Sequence, residues 1–322
     1  MIGASAGGVR ALSALVEGLP ADFPAPLLIV LHIGAHRSLL PAILGRAGPL
    51  CAEQARHGQE VEAGRIYVAP PDRHLLVVDD TLQLSVAAKQ HHTRPAIDPL
   101  FVSAALARGT HPIGVILTGR LDDGTAGLQA IKACGGTAVV QDPADAEVPD
   151  LPTSALRHVD VDHCVPLAEM PRLLTSLASR RLADTSPRQP PARFVHEQAL
   201  ILSEGRPMEH LAKLGSPSSY VCPECRGGLW EVSGVTPRRF VCHTGHGFSL
   251  RTLQDTLAEA ADESLWTARR ALQERLFLLR EMEAAPAAEP IPRDAVRSAA
   301  ERLASQLGQL ESLMARGPDP VE

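Results

Sequence analysis

MIGASAGGVRAL, residues 1–12, places Ser5 between glycines just ahead of a helix-like pattern. Three glycine-rich devices take this form: a dinucleotide-binding turn, a phosphate loop and a turn that exposes a nucleophile. The first needs G-x-G-x-x-G and an acid near the end of the next strand. Here Ser5 stands where the second glycine belongs, and the next strand-like run, LLIVLH, ends in His32 with no acid beside it. A Walker loop needs Gly-Lys-Ser/Thr after the turn, and none follows. What remains is a G-x-S-x-G elbow, Gly3-Ala4-Ser5-Ala6-Gly7. Its small residues permit a sharp bend, and the helix N-terminus behind it favours developing negative charge. A serine in such a turn is on its own most simply a helix cap, so partners elsewhere in the chain must decide.

The pattern around the elbow is that of a doubly wound α/β domain. LLIVLH (27–32), RIYVAP, GVILTG and TAVVQD read as buried strands. Between strand runs, Val9, Leu12, Leu15 or Val16 and Leu19, then DPLFVSAALAR and DGTAGLQAIKACG, repeat at helical spacing. HLLVVDDTLQLSV reads as a hairpin turning at Asp79 and Asp80. The expected fold class is thus α/β, a doubly wound, Rossmann-like parallel sheet, over residues 1–180. Residues 181–218, polar and proline-bearing, read as a linker with one helix at 195–204. A Cys/His-rich zinc-ribbon-like module follows at 219–249 and a helical hairpin at 250–316. In the hairpin, Leu250 through Leu279 and Val296 through Met314 mark two apolar stripes.

Composition narrows the function classes. With 45% hydrophobic and 21% charged residues the chain reads as soluble, with no membrane insertion. No basic segment leads into an apolar one at the start, so the expected compartment is the cytoplasm. A net charge of -6 and 3% aromatic residues disfavour nucleic acid as a partner. Six cysteines in 322 residues do not make a disulfide scaffold.

In a doubly wound sheet the active crevice lies beyond the carboxyl ends of the strands. His32 closes one strand there, and Asp122 and Asp123 follow another, opening a helix. Nucleophile, base and orienting acid then share one rim, the set needed for acyl transfer. Taken singly, His32 reads as a buried histidine and either aspartate as a cap; the joint placement favours catalysis. The chain order Ser, His, Asp is not the Ser, acid, His order of α/β-hydrolases.

Residues 1 to about 178 resemble the catalytic domain of the chemotaxis protein-glutamate methylesterases (CheB). The resemblance is carried by GASAGG at the first turn, the strand ending in His32, IYVAPPDRHL (66–75) and RPAIDPLFVSAA (94–105). It continues through GVILTGRLDDGTAGLQAIKACGG (114–136), QDPADAEVPDLPTSAL (141–156) and VDHCVPLAEM (161–170). The resemblance implies cofactor-free hydrolysis of γ-glutamyl methyl esters on methylated chemoreceptors, often with deamidation of receptor glutamines. It assigns the nucleophile to Ser5, the base to His32 and the orienting acid to Asp123, and puts oxyanion donors near residue 120. Ala6 and Arg120 stand where the family commonly has threonine and methionine, which bears on substrate fit. Only Met1 and Ile2 precede the elbow, so the first strand reads as clipped, and no receiver domain precedes the catalytic part. A non-catalytic scaffold is the rival reading, opposed by the presence of Ser5, His32 and Asp123 together.

In the tail, Cys222 and Cys225 form C-x-x-C, and Cys242 with His246 forms C-x-x-x-H. Two such knuckles supply four soft ligands for a tetrahedral structural zinc; His243 is the alternative fourth ligand. A closed shell leaves no position for catalysis, so zinc loss is expected to spare the chemistry, whose residues lie before the linker. Cys51, Cys134 and Cys164 read as small core residues. The tail resembles the extension of some receiver-less methylesterase homologues, and a regulatory protein is a candidate partner for it.

Overall fold

A computed structural model describes residues 1–34, 37–107, 111–179, 190–202, 204–284 and 292–315. It divides into two compact units, Met1–Leu253 and Gln254–Glu322.

The first unit begins β1 (Ile2–Ala4), α1 (Gly8–Glu17), β2 (Leu27–Leu31), α2 (Leu40–Ala47), β3 (Cys51–Gln54), β4 (Gln59–Glu60) and β5 (Arg65–Val68). Next come the hairpin strands β6 (His74–Val78) and β7 (Thr81–Ser85), which turn at Asp79 and Asp80 as expected. Both turn residues have positive φ, 46° and 62°, the left-handed pair of a tight hairpin turn. The chain continues through α3 (Ile97–Leu106), β8 (Ile113–Ile116), α4 (Thr125–Ala133), β9 (Thr137–Gln141), α5 (Asp150–His158), β10 (His163–Val165) and α6 (Met170–Ser179).

Seven strands make one parallel sheet in the order β10-β9-β8-β1-β2-β5-β3. The winding reverses at β1, whose neighbours are β2 and β8, so the crevice of this fold opens at the carboxyl end of β1. Each face of the sheet carries its own core, because successive strand residues point to opposite faces. Ile2, Ala4, Ile29, Leu31, Val115 and Val139 pack with Leu12, Leu15 and Val16 of α1 and Leu44 of α2. Leu28, Val30, Tyr67, Ile116 and Val140 pack with Leu100 and Phe101 of α3 and Leu128 of α4. Val9, assigned to the buried stripe of α1 from its spacing, is instead 44% exposed. Cys51 and Cys164 are likewise exposed and Cys134 only half-buried, correcting the expectation of core cysteines. The first two lie on β3 and β10, the sheet's edge strands, where one flank has no neighbour to cover it.

The stretch expected as a linker carries two helices, α7 (Ala192–Leu202) and α8 (Pro207–Leu214), where one was expected; residues 180–189 lie outside the described residues. Phe194 of α7 is buried in the same core as Phe101. An antiparallel sheet follows: β11 (Gly215–Val221), β12 (Gly228–Val232), β13 (Arg239–Cys242) and β14 (Gly247–Ser249). Arg239 of β13 donates to both carboxylate oxygens of Glu197 in α7, at 3.0 and 3.1 Å, with both residues buried. These strands therefore belong to the first unit, and the expected separation between the Cys/His module and the sheet is not found.

α9 (Leu250–Ala284) and α10 (Arg293–Ala315) are the two expected helices. Within the second unit Leu276, Ala300 and Leu303 form their shared core, and Arg269 pairs with Glu311 at 3.0 Å, an antiparallel register.

Candidate active site

The elbow is built as its residue types require. β1 ends at Ala4, and Gly7 takes φ of 75°, a conformation costly for a side chain, before α1 starts at Gly8. Ser5 donates its N–H to the Thr118 carbonyl at 3.0 Å and accepts from the Gly8 N–H at 2.8 Å. The Thr118 hydroxyl donates to the Ala6 carbonyl at 3.0 Å, tying the elbow to the end of β8. Gly119 then passes so close that a Cβ there would lie 2.6 Å from that of Ser5. Any larger residue at 119 would push the serine off its perch and displace Arg120 with it.

His32 leaves β2 beside Ser5. Ala4 stands opposite Leu31 in the register, and the His32 N–H reaches the Ala4 carbonyl at 3.2 Å. The His32 Nε2 meets Asp123 Oδ2 at 2.7 Å, with the aspartate side chain 2% and the imidazole 14% exposed. An ionised carboxylate only accepts, so His32 Nε2 is the donor of this bond.

Asp123 is held by four donors. Oδ2 also accepts from the Ile97 N–H at 2.6 Å, while Oδ1 accepts from the N–H groups of Asp98 (3.0 Å) and Gly124 (2.8 Å). Burial opposes its ionisation, but the His32 hydrogen bond, the His91 charge and the Ile97 N–H outweigh it and hold the carboxyl well below its ordinary range. The carboxylate stays ionised and fixed.

Around it lies a buried polar cluster that sequence reasoning missed. His91 Nε2 is 2.9 Å from Asp98 Oδ2 and 3.8 Å from Asp123 Oδ1, and its Nδ1 is 3.6 Å from Asp122 Oδ1. Burial disfavours the charged ring, but the hydrogen bond to Asp98 and the charges of Asp123, Asp98 and Asp122 raise its pKa to about 9. Asp98 falls within the RPAIDPLFVSAA stretch, a signal that could have flagged it. His91 carried no such signal. Asp122, read as a helix cap, instead accepts from the Ser249 hydroxyl at 2.8 Å, and α4 has no side-chain cap.

The second candidate site lies in the Cys/His module. The ligand atoms of Cys222, Cys225, Cys242 and His246 all fall within 4.8 Å of one another. Two knuckles converge there. Cys222 accepts from the Arg226 N–H at 2.8 Å, and Cys242 from the Gly245 N–H at 2.9 Å, with Gly245 at φ of 94°. The Cys225 and Cys242 sulfurs are 3.6 Å apart and His246 Nδ1 is 3.4 Å from Cys242 Sγ. Those spacings suit the edges, about 3.7 Å, of a tetrahedron with zinc–sulfur bonds of about 2.3 Å. His243 lies against Gly227 instead and is not among the four.

A doubly wound sheet with a serine, a histidine and a buried aspartate at the carboxyl ends of adjacent strands has the layout of a serine-hydrolase domain. Residues 1–174, more than half of the chain, match the family described as CheB methylesterase, and the chain belongs to that family. It is 42% identical over 178 residues to "Protein-glutamate methylesterase/protein-glutamine glutaminase 2" of Anaeromyxobacter dehalogenans, covering 55% of this chain and 52% of that one. It is 39% identical over 184 residues to a "Putative protein-glutamate methylesterase/protein-glutamine glutaminase" of Leptospira interrogans, covering 56% of this chain and 95% of the relative. The chain thus spans about half the length of the first relative and nearly all of the second. The crystal structure of the Thermotoga maritima CheB methylesterase catalytic domain superposes with a TM-score of 0.52 at 33% identity, covering 55% of this chain and 96% of that one. Among the described residues no helix is long and apolar enough to cross a membrane.

Proposed function

We propose that the chain hydrolyses glutamate γ-methyl esters on chemoreceptor-type proteins, with Ser5 as nucleophile, His32 as base and Asp123 as orienting acid. The observation that carries this reading is the 2.7 Å contact of His32 Nε2 with the buried Asp123, beside a serine elbow in a CheB-family domain.

The chemistry follows from that geometry. Asp123 keeps the proton on Nε2, so Nδ1 takes the Ser5 proton as Oγ bonds to the ester carbonyl carbon. The oxyanion is met by backbone N–H groups near Arg120 and around Ala6, ahead of α1. Collapse breaks the C–O bond to the methoxy group, which leaves as methanol with the proton returned from His32. Water, deprotonated by the same imidazole, then cleaves the acyl-enzyme to glutamate and free Ser5. A glutamine side chain runs the same course with ammonia as leaving group, in keeping with the glutaminase in the relatives' names.

The same reading gives Cys222, Cys225, Cys242 and His246 to one zinc ion, which adds folding free energy to a sheet whose own core, around Leu229, Phe240 and Phe248, is small. Free cysteines kept as thiolate ligands are in keeping with the reducing cytoplasm. Methanol release from methylated receptor membranes tests the function. The full chain should release it and Ser5→Ala should not; no release by either supports a scaffold instead.

A further inference from the structure

His91 reaches the aspartate cluster from a tight turn. His91 and His92 both have positive φ, 50° and 61°, and Gln90 and Thr93 close the turn with reciprocal backbone bonds of 3.2 and 2.9 Å. A left-handed pair closed in this way is a tight two-residue turn, like that at Asp79 and Asp80. The Cys/His module holds this one from outside. The His91 N–H donates to the Gly247 carbonyl at 2.8 Å, and the Gly247 N–H to the Lys89 carbonyl at 3.3 Å. Gln90 Nε2 donates to the Gly245 carbonyl at 2.6 Å. A Cβ at residue 247 would lie 2.0 Å from the Gln90 amide oxygen, so a larger residue there would push the Gln90 side chain off the Gly245 carbonyl. At the end of the same strand Ser249 donates to Asp122, and in the first turn of α9 Thr252 Oγ1 lies 3.4 Å from His91 Nδ1.

Asp98, Asp122 and Asp123 all face this one imidazole. Arg239, whose charge also reaches Asp98 and Asp122, is bound to Glu197. Asp123 can orient His32 only while it is ionised and immobile, and neighbouring carboxylates would otherwise favour its protonation or rotation.

We infer that His91 is a positioning residue for Asp123, and that β14 of the Cys/His module holds it in place, so that the module completes the active site. This rests on the triad reading above. The expectation that tail and chemistry are independent is thereby reversed.

The test uses the full chain, with kcat counted per active site titrated by a fluorophosphonate. His91→Gln should lower kcat 10- to 100-fold with KM within twofold, the scale of a slightly misplaced catalytic group. The pair Ser249→Ala and Thr252→Val should lower kcat in the same manner and add little when combined with His91→Gln. Should His91→Gln fail to fold, that pair carries the kinetic test. Proton NMR gives a readout independent of turnover. The His91 ring N–H should be slow to exchange in the intact chain, and exchange should quicken in the Ser249→Ala/Thr252→Val pair and after chelation. Kcat within twofold of wild type in the variants, or a ring N–H that exchanges freely in the intact chain, overturns the inference. A wild type that releases no methanol overturns the esterase reading instead, and the NMR arm still decides whether β14 holds His91.

Discussion

Replacing Asp123 by asparagine keeps the shape of the site and removes half of its acceptors. In wild type Oδ2 takes the Ile97 N–H and His32, and Oδ1 takes the N–H groups of Asp98 and Gly124. Asparagine offers one oxygen and one NH2. With the oxygen in the Oδ1 position, the NH2 faces the Ile97 N–H, and His32 must turn its lone pair toward the amide. One buried donor is then unpaired, at about 1–3 kcal/mol, and the imidazole presents N–H to Ser5 in place of a base. With the oxygen at Oδ2, two backbone donors are lost, so the first arrangement is preferred. A wrong tautomer in a serine-protease triad costs about 10⁴ in kcat, or roughly 5 kcal/mol of barrier. Asp123→Asn is expected to lose 10³- to 10⁴-fold in kcat, by methanol release, and about 1–3 kcal/mol of stability, by urea denaturation. Asp122 lies on the far side of the cluster, against Ser249, so Asp122→Asn should cost far less. An Asp123→Asn variant retaining a tenth of the activity, or damaged less than Asp122→Asn, would refute the orienting role.

Ser5→Ala and His32→Ala should each abolish turnover by several orders of magnitude, and the double variant should be no worse, because the two act as a unit. The lowered Asp123 pKa means that its stabilisation is present above the unfolded value near 3.9 and is lost as pH falls below it; acid denaturation of Asp123→Asn should be correspondingly shallower. The raised His91 pKa, about 9, has the opposite sign: its stabilisation is complete below the unfolded value near 6.5 and is lost as pH rises through 9, a slope that His91→Gln should remove. Elemental analysis should find one zinc per chain, and Cys222→Ser should lose it and expose residues 215–249 to proteolysis. Arg239→Met leaves the buried Glu197 carboxylate unpaired and should cost about 3–5 kcal/mol in denaturant melts.

What was legible in the sequence was local. The G-x-S-x-G turn, the LLIVLH strand with His32 at its end, and the aspartates at the start of α4 each announce themselves within a dozen residues, and parallel winding then brings them to one rim. Periodicity failed where a flank is bare, so Cys51 and Cys164 on the edge strands were misjudged. It also has nothing to say of pairings such as Gln90 with Gly245, 155 residues apart. The cluster of His91 with three aspartates is assembled by just such contacts, from the turn at 90–93, the start of α3, the end of β8 and β14. Spacing found the four metal-ligand candidates, while only the fold distinguishes His246 from His243. The proline-bearing stretch before the module looked like a spacer because its two helices are short and their anchors are partners distant in sequence: Phe194 in the core with Phe101, and Leu200, Leu211 and Leu214 with Val232 and Val241.

The central claim, that Ser5 is a nucleophile activated by His32, is tested most directly by locating a covalent adduct. Treatment of the full chain with a fluorophosphonate, followed by peptide mass spectrometry, should place one adduct on Ser5. His32→Ala should slow its formation by orders of magnitude, and methylated receptor should protect against it. Methanol release that continues with Ser5 unlabelled, or an adduct that forms equally fast without His32, would contradict the account.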